Sequence, residues 1–322
     1  MTPLPKCQHS NVRRFGKYGR RHIQRYRCNS CGTTFSEGRA NPLGNHYVGL
    51  DKATQVLSLL LEGVSIRAAS RLTGMHKRTI LSLLVSAGHR CQSTLDARVR
   101  NLRPRYVELD ELWTFVHTKE KNLASDDPAD WGDAYTWVAL DAETKLVISH
   151  LVGKRDSRSA NDFIADYSSR AMNRHQVTSD GFKPYVQAIE TYFGADIDFA
   201  QLMKLYGTPD NAGPEWYGPG KVVQIVPTPV SGHPDKAHIC TSHVERSNLS
   251  FRMHLRRFTR LVNAFSKKLD NLKAAVTVYV AWYNFCRVHQ TLRVTPAMEA
   301  GITDHVWEIG ELLTANAESR AA

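Results

Sequence analysis

Between Tyr106 and Val116 the chain alternates as a β-strand does, yet it sets a charged Asp110 among Val107, Leu109, Leu112, Phe115 and Val116. A lone ionised carboxylate in such a strand is costly to bury unless it is paired or holds a cation. The rest of the chain must therefore bring a partner to Asp110. A second strand is expected over residues 135–141 and a third over 146–152, after the turn Ala142-Glu143-Thr144, so that the two form a hairpin. A helix is expected over 159–172, a short strand over 177–181 that stops at Asp180, and a further helix over 184–193.

Strand, hairpin, helix, short strand and then a helix bearing Glu is the element order of an RNase H-like α/β domain. The third acid is Glu245, near the start of a helix that begins around His243. Asp110, Asp180 and Glu245 are hard oxygen ligands, suited to two Mg²⁺ or Mn²⁺ ions ~3.5–4 Å apart. One ion would activate water or a 3′-hydroxyl and the other would stabilise the leaving oxygen of an in-line phosphoryl transfer. Arg252 follows Glu245 by seven residues and shares its helix face, where a guanidinium can hold a terminal phosphate; Asn248 lies between them. Glu108 and Glu111 flank Asp110 and are read as lying on the opposite side of the strand, peripheral to the site.

Charge divides the chain. Residues 1–105 carry 19 Lys and Arg against 4 Asp and Glu, whereas 106–322 carry 23 against 27, so the front third is a polyanion binder by composition. A second basic segment, 246–293, holds ten Lys and Arg and one Asp, which adds another surface for a phosphate backbone. Three of the six cysteines fall within the first 31 residues, a pattern of metal ligation rather than of a disulfide framework. Cys7, His9, Cys28 and Cys31 are the expected ligands of a structural Zn²⁺ in a zinc ribbon over 1–42, with His9 favoured over His22 and Ser10 standing where a four-cysteine ribbon would have its cysteine.

Residues 48–92 are expected to be an all-α helix-turn-helix domain: Ala68 and Ala69 are small, Gly74 marks the turn, and Ile80 and Leu84 point the second helix inward. Its exposed early positions, His76, Lys77, Arg78 and Ser82, are the candidate DNA contacts. A basic linker is expected over 93–105, then the α/β catalytic domain with C-terminal helices over 106–305, interrupted by a loop-rich insertion at about 207–234, and a frayed tail over 306–322. Arg256, Arg257 and Arg260 are candidate grips on the DNA backbone. No run approaches the ~20 apolar residues of a membrane span, and the first residues lack a secretory pattern, so a cytoplasmic, nucleoid-associated location without membrane contact is expected.

Several motifs together resemble transposases of the insertion sequence 1 family. They are Gln24-Arg25-Tyr26-Arg27-Cys28 with Cys31, Arg67-Ala68-Ala69-Ser70, Leu109-Asp110-Glu111-Leu112-Trp113-Thr114-Phe115-Val116, and Val244-Glu245-Arg246-Ser247-Asn248-Leu249-Ser250-Phe251-Arg252. Tyr283-Asn284-Phe285-Cys286-Arg287-Val288-His289-Gln290-Thr291-Leu292 also resembles the closing segment of the wider DDE transposase and integrase group. The resemblance implies metal binding by Asp110, Asp180 and Glu245. It implies an enzyme that binds terminal inverted repeats, cuts DNA and joins the ends to target DNA, as a homodimer or larger assembly. A domesticated regulator that binds DNA without cutting it, and an RNase H-like nuclease or resolvase, are the alternatives.

Overall fold

The computed structural model describes residues 9–19, 22–36, 43, 46–206, 222–259 and 262–318. Two compact units, Met1–Tyr47 and Val48–Ala322, make up the chain. In the first, strands β1 (Val12–Tyr18), β2 (Ile23–Cys28) and β3 (Thr34–Ser36) pair antiparallel in that order. The turn between β2 and β3 is closed by Gly32 N–H donating to Cys28 O at 3.0 Å, with Gly32 at φ +73°, a conformation that favours glycine. Tyr26 and Phe35 stack across the two strands at 5.7 Å.

The second unit begins with α1 (Leu50–Leu61), α2 (Ile66–Thr73) and α3 (Lys77–Arg98). Ser65 Oγ caps α2 by accepting from Ala68 N–H at 3.2 Å, and Gly74, at φ +69°, ends it. Helix α3 does not stop at the expected boundary near residue 92 but runs through the first half of the expected linker. Its buried stripe continues through Ala87, Gly88, Cys91 and Leu95, and this stripe packs on α7 (Leu269–Phe285). Gly88 permits the contact: a Cβ there would lie 2.7 Å from Ala274 Cβ and 2.8 Å from Ala274 Cα. The helical segment thus belongs to the same compact unit as the sheet that follows it.

Among the described residues that sheet has six strands: β4 (Tyr106–Val116), β5 (Gly132–Asp141), β6 (Val147–Gly153), β7 (His175–Asp180), β8 (Ile197–Tyr206) and β9 (Val222–Ser231). Their order is β6-β5-β4-β7-β8-β9, parallel between β4 and β7 and between β7 and β8, antiparallel elsewhere. The unit is a mixed α/β structure. Helices α4 (Ser157–Ser168) and α5 (Pro184–Phe193) lie on one face, and α6 (Ser242–His254) and α7 on the other. Alternation along β6 shows the two sides: Ser149 Oγ donates to Asp166 of α4 at 2.5 Å, and His150 Nε2 meets Thr277 Oγ1 of α7 at 3.0 Å. On the α4–α5 side Trp137, Phe163 and Tyr185 are fully buried against one another.

Two further elements differ from expectation. Within the insertion, the strand-like run over 222–226 extends to Ser231 and pairs with β8, which was not foreseen; residues 207–221 lie outside those described. Pro227 and Pro229 are compatible with that pairing because β9 is an edge strand, whose outward N–H positions need no partner. At the C-terminus, the expected frayed tail contains α9 (Ile309–Glu318) after the short α8 (Pro296–Glu299), and Leu312 and Leu313 are 1% exposed. They pack on α1 and α3, an apolar anchor that overrides the small and polar residues around it. Among the described residues no helix is long and apolar enough to cross a membrane.

Candidate functional site

Parallel pairing aligns the first two acids. The register of β4 with β7 runs Tyr106 to Gln176, Val107 to Val177 and Glu108 to Thr178. Continued by two residues on the same offset, it sets Asp110 beside Asp180, on one face, at the C-terminal end of β7. Carboxylate oxygens of Asp110, Glu111 and Asp180 all lie within 4.8 Å of one another. Burial pushes the Asp110 pKa up to about 7, with the charges of Glu111, Asp180 and Glu245 adding to the rise and the Glu111 N–H opposing it.

Neither neighbour of Asp110 is peripheral. Glu108 is two residues away and so shares the Asp110 face; it is 3% exposed, and its Oε2 accepts from Val244 N–H at 2.8 Å in the first turn of α6. Thr241 gives that helix no side-chain cap, so Glu108 supplies an acceptor to its N-terminal N–H groups. Burial lifts the Glu108 pKa to about 7, against the pull of the Val244 and His243 N–H groups. Glu111 does begin on the α4–α5 face, opposite Trp137 in β5, with its side chain only 2% exposed. Strand parity alone misplaces it: the β4–β7 ladder ends at Glu108 and Thr178, and a glutamate is long enough to enter the opening beyond. Its Oε1 is buried without a hydrogen-bond partner among the described residues. Burial and the Asp180 charge raise its pKa, while the Tyr185 hydroxyl and Arg155 draw it back.

Arg155 was not foreseen. It follows β6, donates from Nε to Glu111 Oε2 at 3.0 Å and from Nη2 to Asp180 Oδ2 at 3.1 Å, and lies over the Phe182 ring at 4.0 Å. No spacing or motif marks it; only the fold carries the end of β6 to the end of β7. Asp180 Oδ1 accepts from Phe182 N–H at 3.0 Å, which fixes the carboxylate at the turn into α5.

Helix α6 presents the third expected acid. Glu245, its side chain 45% exposed, accepts from Thr241 Oγ1 at 2.8 Å and pairs with Lys204 of β8, and it is not one of the three clustered carboxylates. One turn later Asn248 Nδ2 donates to Asp110 Oδ2 at 2.6 Å, so the Glu245–Asn248 face of α6 is the one turned to β4. Arg252 is half-buried two turns beyond Glu245. Arg256 is exposed on the 3₁₀ turn Arg256–Phe258; Arg257 is half-buried, donates from Nε to Ser266 Oγ at 2.8 Å, and has its pKa lowered to about 10 by burial. His76, Lys77, Arg78 and Ser82 are exposed along the start of α3, with His76 Nδ1 accepting from Arg78 N–H at 3.3 Å. Arg260 lies outside the described residues.

The first unit gathers His9, Cys28 and Cys31, their ligand atoms within 4.8 Å of one another and Cys28 Sγ 3.5 Å from His9 Nδ1; Cys7 lies outside the described residues. Two donor sets of different chemistry therefore occur among the described residues. The sulfur and imidazole set suits a soft or borderline ion, and the all-carboxylate set suits a hard divalent cation.

No protein-family model matches the chain, and no curated protein matches it. Among solved structures, the cryo-EM structure of a piggyBac transposase synaptic complex with hairpin DNA aligns over 79% of this chain and 56% of that one, with 8% identity and a TM-score of 0.29. The chain spans little more than half the length of that transposase, and a likeness at this level carries no argument about fold or activity.

Proposed function

We propose that this chain is a metal-dependent DNA transposase of the DDE type. The observation that carries the reading is the meeting of Asp110, Glu111 and Asp180 at the open end of the parallel β4–β7 pair, beside a helix that brings Glu245 and Asn248. An antiparallel β6-β5-β4 group followed by parallel β7 and β8 fits the RNase H-like arrangement expected from the sequence, and the motifs shared with the insertion sequence 1 family point the same way.

Asp110 and Asp180 would hold Mg²⁺ or Mn²⁺, with Glu245 and Glu111 as the further carboxylates. The bound ion would supply Lewis-acid stabilisation of the phosphoryl oxygens and a more acidic attacking hydroxyl. Asn248 keeps the Asp110 carboxylate turned toward α6, and Glu108 fixes the helix that carries Glu245. Arg155 bridges Glu111 and Asp180 and places a positive charge between the two carboxylates. The zinc ribbon of the first unit and the α2–α3 helix-turn-helix would read terminal inverted repeats, with Lys77, Arg78 and Ser82 at the front of α3.

A strand-transfer assay with Mg²⁺ and labelled terminal DNA tests the reading. Products joined to a plasmid support it; cutting without joining favours a nuclease, and binding alone favours a regulator. Asp110→Asn should abolish cutting and leave DNA binding within a few-fold, and persistent activity would refute the metal assignment.

A further inference from the structure

Another part of the second unit gathers charge of the opposite sign. Beside α6 a cavity of about 310 Å³ is lined by the β5–β6 turn, α6 and the loop that follows α7. Its walls carry Lys145, Arg246 and Arg287 with His243 and His289, and among the described residues no carboxylate lines it. Among the described residues, none of Lys145, Arg246 and Arg287 forms an ion pair within 4.0 Å. The carboxylates that act on Lys145, those of Glu108, Asp141 and Glu143, lie outside the lining, so an anion entering the cavity meets the like charges of its walls directly.

The groups are held in place before any ligand arrives. Lys145 sits at φ +60° in the β5–β6 turn, where its Nζ donates to Ala142 O and, at 3.1 Å, to His243 Nδ1. A hydrogen bond accepted at Nδ1 from an ammonium leaves Nε2 as the N–H of the neutral His243 ring. The Arg287 guanidinium lies 5.7 Å from the Trp282 ring centroid. His289 is pinned by its backbone, N–H to Val294 O at 2.9 Å and carbonyl from Arg293 N–H at 2.8 Å, while its Nδ1 is buried with no hydrogen-bond partner among the described residues. Desolvation, and after it the charges of Lys145 and Arg287, push the His289 pKa down.

Guanidinium forks, an ammonium and imidazole nitrogens arranged without a carboxylate suit a tetrahedral oxyanion. We propose that this cavity binds a backbone phosphate of a nucleic-acid strand, separately from the acidic cluster. The identity of the ligand as a strand rests on the DNA-processing reading; the binding of phosphate does not.

The full-length protein, labelled with ¹³C-histidine and without added divalent cation, is titrated with inorganic phosphate and with thymidine tetranucleotides that carry or lack a 5′-phosphate. The His289 ring signal, assigned with His289→Gln, should shift saturably. Arg246→Ala and Lys145→Ala should each weaken the response about ten- to hundredfold, the loss of one or two charge-assisted hydrogen bonds. Tighter binding of a tetranucleotide than of inorganic phosphate supports a strand, and the reverse order overturns the strand assignment in favour of a free anion. An unmoved His289 signal, or one that responds equally in the variants, overturns the site. Asp110→Asn should leave the His289 response intact, so a wild-type protein that binds phosphate but never cuts DNA would sink the catalytic reading alone.

Discussion

Arg170 joins the proposed DNA-reading helix to the α/β layers, and its removal should be among the most damaging single changes in the second unit. The residue is 3% exposed. Its Nε and Nη2 donate to the two oxygens of Asp166 at 2.8 Å each, Nη2 also donates to Asp96 Oδ1 at 2.6 Å, and Nη1 reaches the carbonyls of Leu95 and Val99 at 3.3 and 3.2 Å. Those two carbonyls belong to the last turn of α3, where a cation is favoured by the helix dipole. Arg170→Met keeps most of the buried stem and deletes the charge. Breaking a buried pair from one side typically costs about 3–5 kcal/mol. Asp96 and Asp166 keep 43% and 36% of their side-chain surface and can rehydrate, which places the expected loss at the lower end, about 3 kcal/mol. For a unit of this size that is a fall in Tm of about 6–12 °C. Urea titration at pH 7, followed by the fluorescence of the buried Trp137 among the other tryptophans and by circular dichroism, measures the loss. A loss below about 1 kcal/mol, the worth of a surface pair, would refute the argument that this guanidinium is the clasp between α3 and α4.

Three other outcomes follow from the geometry. Glu111→Gln should raise the Mg²⁺ concentration for half-maximal DNA cleavage by about 10–100-fold, because it removes a charge in contact with Asp110 and Asp180; unchanged metal dependence would return Glu111 to a structural role. Gly88→Ala, which in an open helix would gain about 0.5–1 kcal/mol, should instead cost about 1–3 kcal/mol, since the new Cβ meets the backbone of α7; a stabilised variant in a melting experiment would contradict the α3–α7 contact. Burial pushes the His150 pKa down to about 4, with Arg170 adding to the effect, so the ring stays neutral in the folded chain while the unfolded chain takes up a proton near pH 6.5. The stability is fully present above about pH 6.5 and is lost as the pH falls toward 4, with at most about 2 kcal/mol gone between pH 7 and 5. His150→Asn should remove that part of the slope in urea titrations at the two pH values, and an unaltered slope would show that another group titrates.

Local pattern sufficed wherever a residue's place depended on its own strand or helix. The alternation around Asp110, the hairpin, the stop of a strand at Asp180, helix α5 from Pro184 to Phe193 and the facing of Asn248 with Glu245 are all readable from period two or 3.6. The Cys28-x-x-Cys31 knuckle is legible for the same reason, as its chemistry lies within four residues. What escaped are contacts set by how far a side chain reaches and by which distant segments meet. Glu111 crosses into the acidic cluster because the β4–β7 ladder ends just before it, and a period-two pattern contains no information about where a ladder opens. Arg155 joins Glu111 to Asp180 only because β6 and β7, with β5 and β4 between them, finish at the same edge of the sheet, though in the chain it lies 44 residues from Glu111 and 25 from Asp180. Helix α3 passes its expected end because α7, nearly two hundred residues later, offers a surface for its apolar stripe, with Gly88 as the point of closest approach. Sequence alone determined which residue types were available and on which face each begins; tertiary packing decided which carboxylates share a site, since charge interactions depend on distance in space and not along the chain.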